Sequence, residues 1–162
     1  MSGTSNQFWV NEFLPYVNSA VQGEVDNLQT QIDNLGSIIT YDTDSITGEF
    51  TNGTDTSPTK TVNVIKINDV VTVMVPANLL SVTAGTPSFI FNAAIPAEYR
   101  PDSGTAVQKL LNVLDNSVNY IGYCTIDDGG NITVWRDIDQ STLWSNNFVG
   151  WGDTYGITYR VD

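Results

Sequence analysis

The chain has 162 residues and a formal net charge of −12, from 18 acidic and 6 basic residues, and it contains no histidine. This negative charge repels phosphate backbones and anionic membrane surfaces, so nucleic acid is not an expected partner. The lack of histidine excludes Ser-His-Asp and Cys-His catalysis and the common histidine-bearing metal sites, and we expect neither an enzyme nor a bound metal or cofactor.

Residues 1–14 begin polar and then carry the aromatic side chains of Phe8, Trp9 and Phe13. Such side chains need a cover, either from the rest of the chain or from a larger assembly, and the sequence leaves both open. We interpret the segment as an attachment segment. It has no signal-peptide pattern, and no stretch of the chain is long enough to span a membrane, so we expect release by a route other than ordinary secretion, for example within a virus particle.

Residues 15–39 predict a helix, with Pro15 suited to its first turn. Their apolar residues recur with gaps that alternate between four and three, which is the heptad pattern of a coiled coil. A stripe this narrow predicts an oligomeric stalk, although a single amphipathic helix packed on its own domain remains an alternative. Val or Ile at a with Leu at d favours two strands. The positions predicted to make the oligomer contact, the apolar seam, are Val21, Val25, Leu28, Ile32, Leu35 and Ile39.

Residues 40–162 change to a period of two, with turn signals between short apolar runs. Cys124, the only cysteine, cannot form an intrachain disulfide, and we expect it to be buried in a strand. Such a pattern predicts an antiparallel β-sandwich head, jelly-roll-like, of about 120 residues. The predicted strands lie at 46–51, 65–67, 71–75, 88–93, 107–114, 118–126, 132–135 and 155–161, with a polar loop at 136–147; the run 107–114 also fits one or two helical turns.

The order of these pieces resembles the trimeric fibre and receptor-binding proteins of bacteriophages and large DNA viruses. The resemblance rests on the coil followed by IKINDVVTVMVP, IPAEYRP, CTIDDGGNITVW and YGITYRV. It implies a homotrimer that is made in the host cytoplasm and works on the virion surface. The N-terminal segment would bind a virion structural protein, and the head would bind a host glycan or other receptor. The family supplies no binding residue that can be placed on a position of this chain.

Aromatic residues in the last third are the candidate ligand contacts. Sugar C–H faces stack on rings while their hydroxyls bond to side-chain oxygens, so Trp144, Trp151 and Tyr155, together with Asp139, are predicted to bind glycan, although packing would equally explain a tryptophan. The acidic pairs lack an EF-hand spacing, and only an ion on a symmetry axis would escape the sequence.

Three other functions compete with attachment. The head could be a trimerisation knob or a capsid-decoration protein without receptor binding. A secreted trimeric ligand resembling the complement and tumour-necrosis-factor group is disfavoured by the missing signal peptide. A depolymerase is disfavoured by the short chain and the absence of catalytic residue types.

Overall fold

A computed structural model describes residues 14–38, 40–83 and 85–161. The chain divides into two compact units with the boundary between Thr40 and Tyr41. The predicted attachment segment, apart from Leu14, and the seam residue Ile39 lie outside the described residues.

In the described part of the N-terminal unit, the helix α1 spans Leu14–Ile38 and confirms the predicted helix. Side-chain pairs four residues apart support it on its polar face: the Gln22 amide donates to Asp26 at 2.8 Å, and Gln29 donates to Asp33 at the same distance. Such pairs add only a few tenths of a kcal/mol each, so they stabilise the helix without covering its apolar side. The described seam residues are all at least half exposed, namely Val21 (58%), Val25 (50%), Leu28 (55%), Ile32 (59%) and Leu35 (63%).

The second unit is built from two antiparallel sheets, which confirms a mainly β head. The strands are β1 Tyr41–Gly48, β2 Phe50–Thr51, β3 Lys60–Ile67, β4 Val70–Val75, β5 Asn78–Ser81, β6 Ser88–Phe91, β7 Ala106–Asp115, β8 Val118–Asp127, β9 Ile132–Trp135, β10 Phe148–Trp151 and β11 Tyr155–Arg160. The four-stranded sheet has the order β1-β3-β4-β11, and the seven-stranded sheet has the order β2-β6-β9-β8-β7-β10-β5. One 3-10 helix, Ala97–Tyr99, lies between β6 and β7.

Alternate residues of both sheets enter one hydrophobic core. The burial of Val62 and Val64 on β3 and of Val71 and Val73 on β4 follows the period of two that the sequence shows. Aromatic rings fill the space against the seven-stranded sheet, with centroids 4.9 to 6.4 Å apart in tilted or edge-on pairs. These rings belong to Phe50, Phe89, Phe91, Trp144 and Trp151.

Most predicted strands are confirmed, and the run 107–114 is a strand within β7. Cys124 is fully buried in β8, as expected. The predicted strand 46–51 is wrong as a single strand: it covers the end of β1 and all of β2, which are separated at Glu49 and belong to different sheets. Two further strands, β5 and β10, were missed. Both are four residues long, and β10 contains Gly150, whose φ of 130° and close approach to Asn78 interrupt the apolar alternation.

Candidate functional site

Two cavities of the head lie along the β7–β8 hairpin. Its strands pair over ten residues, from Ala106 opposite Asp127 to Asp115 opposite Val118. Asn116 and Ser117 close the hairpin with φ values of 51° and 67°, the left-handed conformation that a type I′ turn requires at both central positions. This turn fixes the register of β7 and β8, and the register determines which of their side chains point away from the core.

The larger cavity, of about 370 Å³, is the β7 cleft. Its apolar walls come from Leu110 and Ile138, each 59% exposed. Tyr123 at its floor is 4% exposed and stacks on Trp135 with ring centroids 6.4 Å apart. The residues that line the cleft are Gln108, Lys109, Leu110, Tyr123, Ile138 and Gln140.

The polar groups of the β7 cleft are two side-chain amides, one ammonium and one phenol. The Gln140 amide nitrogen donates to the Tyr123 hydroxyl oxygen. Burial, together with the nearby Asp137 carboxylate, raises the pKa of Tyr123, so its hydroxyl stays protonated at neutral pH. No acidic side chain lines the cleft. The set can bind hydroxyl or anionic groups, and it contains no nucleophile and base pair for catalysis.

A short turn after β9 positions Ile138 and Gln140, which form one wall of the β7 cleft. The Asp137 carboxylate accepts hydrogen bonds from the backbone N–H groups of Thr142 at 3.0 Å and Ser141 at 3.2 Å. A hydrogen bond from the Thr142 side chain, together with these backbone bonds, stabilises the charged form and lowers the pKa of Asp137, although burial opposes this. The closed turn holds Ile138 and Gln140 over the strand.

The buried Asp115 carboxylate holds the same segment at both of its ends, by an ion pair at Arg136 and a hydrogen bond at Ser145. The Arg136 side chain bonds to the Asp115 carboxylate, and its guanidinium carbon lies 4.2 Å from the centre of the Tyr120 ring. The backbone N–H of Ser145 donates to the other Asp115 oxygen at 3.0 Å. Although burial opposes ionisation, the hydrogen bonds from Ser145 and Arg136 lower the pKa of Asp115. The loop is thereby fixed to the hairpin at residues 136 and 145.

The smaller cavity, of about 250 Å³, lies along the same strand and is lined by Leu110, Leu111, Asn112, Ile121 and Tyr155. The Tyr155 hydroxyl accepts a hydrogen bond from the Asn112 N–H at 3.1 Å and donates to the Asn112 carbonyl at 3.3 Å. Tyr155 therefore satisfies the backbone groups of Asn112 at the edge of β7, since β10 pairs with β7 only at Leu114 and Asp115.

The four predicted ligand residues do not form one site. Trp144 and Trp151 are 1% and 0% exposed, so the expectation of an accessible ring at these positions is wrong. Trp144 packs on Phe89, and the Trp151 indole N–H donates to the Pro76 carbonyl at 2.7 Å. Packing in the core explains both residues.

Tyr155 and Asp139 have different surroundings. Tyr155 is half-buried at the smaller cavity, whereas Asp139 is exposed and lies outside the lining of both cavities. Their ligand-binding role stays a prediction. The cleft residues Gln108, Lys109, Tyr123 and Gln140 were missed, although a lysine inside the otherwise uncharged run 106–114 was a signal for the position of Lys109.

The part of the chain that the structure describes holds no group of three or more Cys, Asp or Glu side chains placed to bind a metal ion. Within the same residues, no helix has the length and apolar character needed to cross a bilayer.

No protein-family model matches this chain, and no curated protein matches its sequence. Among solved structures, the chain is similar to a reovirus attachment protein, sigma1, in a complex with alpha-2,3-sialyllactose, with a TM-score of 0.44. The two share 11% sequence identity, and the match covers 76% of this chain and 66% of that one. The chain thus spans just under two thirds of the length of that attachment protein.

Proposed function

We propose that this chain is a non-enzymatic fibre protein of a virion, in which a parallel coiled coil joins three copies and the β head attaches to glycan on a host surface. The observation that carries the proposal is the exposed seam of α1. Its five described residues are 50 to 63% exposed, and a helix with so narrow a stripe is marginal in water without a partner. A second copy of the same helix has the same apolar stripe and can cover the first in a coiled coil.

Three copies are proposed on the resemblance to viral fibres, although the seam residues by themselves favour two strands. A coil of this kind holds the heads at a high effective concentration, so weak binding by each head becomes strong binding by the assembly. The N-terminal segment would join the fibre to the virion, and the host surface would meet the head.

The β7 cleft is the proposed glycan contact. Leu110 and Ile138 offer apolar surface to sugar C–H groups, while the amides of Gln108 and Gln140 offer donors and acceptors to hydroxyls. The Lys109 ammonium adds a donor and a positive charge. A cleft that is open on one side suits a chain of sugars at a cell surface better than a small enclosed metabolite.

A glycan array with the full-length protein tests this function. Binding should be lost in the double variant Lys109→Ala with Gln140→Ala, and retained in Lys60→Ala, which removes a partly exposed lysine from β3 of the other sheet. All three proteins should keep the same mass and thermal midpoint. Absence of binding by the wild type both to the array and to host cells would leave only the structural role as a knob or decoration protein.

A further inference from the structure

The outer side of the seven-stranded sheet, opposite the core, is free of charge over five rows of paired residues. One row runs Leu79–Gly150–Leu114–Asn119, and the neighbouring pairs Ser81–Phe148 and Asn112–Ile121 point the same way. The rows Leu110–Tyr123–Trp135–Ser88 and Gln108–Thr125–Thr133–Ile90–Thr51 continue it. Among the paired strand residues on this side, the first carboxylate is that of Asp127 at the strand end, where it bonds to Asn131. The Asp137 carboxylate, on the loop after β9, lies near Tyr123.

Several large apolar side chains on this side are exposed. Ile121 is 53% exposed and Phe148 is 41% exposed, with Leu79 at 37% and Leu114 half-buried between them. We call these four residues the apolar face. Leu110 separates the apolar face from the β7 cleft, and the 250 Å³ cavity opens beside Ile121. Large apolar side chains exposed together on one side of a sheet mark a surface where another molecule can bind.

Charge indicates what kind of molecule covers the apolar face. Two copies of this chain each carry −12, so they repel one another wherever their acidic loops approach. The apolar face is a surface on which copies can meet without bringing carboxylates together. A strongly basic partner, by contrast, would be attracted to the acidic loops and would gain nothing from an uncharged sheet.

The seam of α1 points to the same partner. If copies associate through α1, the heads begin at Tyr41, three residues after the helix ends at Ile38. Association of the heads then becomes a local event at millimolar effective concentration, which allows a modest apolar contact to form. A short coil with two glycines, Gly23 and Gly36, gains stability from such a second contact.

We propose that the apolar face of one head packs against the head of a second copy, and that this contact stabilises the oligomer together with the coil. The proposal rests on the proposed oligomeric fibre and names the surface by which its heads associate. The β7 cleft, on the other side of Leu110, stays open for ligand.

The test is the dissociation constant of the full-length oligomer, measured by sedimentation equilibrium. The double variant Ile121→Lys with Phe148→Lys should raise it at least tenfold, because the contact would then bury two ammonium groups. The control Ile67→Lys changes a residue of similar exposure, 46%, on the outer side of the four-stranded sheet and should leave it within about twofold. The milder variant Ile121→Gln, at an exposed position, should fold normally and raise the constant severalfold.

Each other outcome overturns the proposal in a distinguishable way. An oligomeric wild type whose dissociation constant is equally unaffected by the face variants and the control would show that the heads associate elsewhere. Face variants that keep the oligomer but lose binding to host cells would make the apolar face a receptor surface. A monomeric wild type would remove the proposed fibre itself, and this inference with it.

Discussion

Replacing Arg136 by alanine should strongly destabilise the head, because it leaves the Asp115 carboxylate without its cation. The Asp115 side chain is 1% exposed and the Arg136 side chain 13% exposed, so water replaces the lost partner poorly. After the substitution the carboxylate keeps the hydrogen bond from the Ser145 N–H at 3.0 Å. An uncompensated buried charge is the largest consequence of this change.

The magnitude follows from three effects. Breaking a buried ion pair costs about 3–5 kcal/mol, and losing the cation–π contact with the partly exposed Tyr120 adds about 0.5–1 kcal/mol. Partial exposure of Arg136 and the remaining Ser145 bond reduce the first figure. We therefore expect the free energy of unfolding to fall by about 3–5 kcal/mol. Asp115→Asn, which removes the charge and keeps the shape, should cost less.

Urea unfolding at pH 7 and one fixed protein concentration measures this change, since the stability of an oligomer depends on concentration. Arg160→Ala is the matched control: Arg160 lies 3.7 Å from Asp69, but both side chains are more than half exposed, and such pairs contribute about 0–1 kcal/mol. The double variant of Arg136→Ala with Asp115→Asn should cost less than the two changes added together. A loss below about 1 kcal/mol for Arg136→Ala, or strict additivity in the double variant, would refute the reasoning.

Three further predictions concern single groups. The lowered pKa of Asp115 adds stability that is complete above the ordinary value of 3.8 and is lost as the pH falls below it, so urea unfolding at acid pH should show this loss in the wild type and a smaller one in Asp115→Asn. The hydrogen bond to Asp42, with burial, raises the pKa of Tyr99 to about 12, so in an absorbance titration at alkaline pH the phenol that is missing from Tyr99→Phe should ionise about two pH units late, with stability lost between pH 10 and 12. Burial raises the pKa of the Cys124 thiol, so a thiol reagent should label it only after denaturation, and rapid labelling of the native protein would contradict its place in the core.

Periodicity carried the prediction of the fold. The heptad gaps predicted α1, and the alternation of apolar and polar residues predicted β3, β4 and β11. In each case one side of the element is apolar, and the spacing of the apolar residues in the sequence shows this. The β5 and β10 strands lack that pattern. At Gly150 an added Cβ atom would lie 1.9 Å from the Asn78 carbonyl oxygen, so the requirement for glycine comes from a neighbouring strand that the local sequence does not reveal.

The candidate site was less accessible to sequence reasoning. The prediction of a ligand contact at Trp144, within the polar loop 136–147, requires an exposed ring, yet the loop folds so that this ring packs on Phe89 in the core. The β7 cleft unites Gln108 and Lys109 on one strand with Gln140 on a distant loop, and the loop is held there by Arg136 and Asp137. Such a site depends on tertiary contacts between segments, and no local pattern encodes them.

The mass of the full-length protein in solution at micromolar concentration, from sedimentation equilibrium, tests the central claim most directly. The exposed seam of α1 predicts an oligomer, and the proposed fibre predicts three times the 17.7 kDa of one chain. The seam variant Leu28→Asp should lower that mass, because it places a carboxylate at a d position of the coil. A wild-type protein of 17.7 kDa at that concentration would contradict the account.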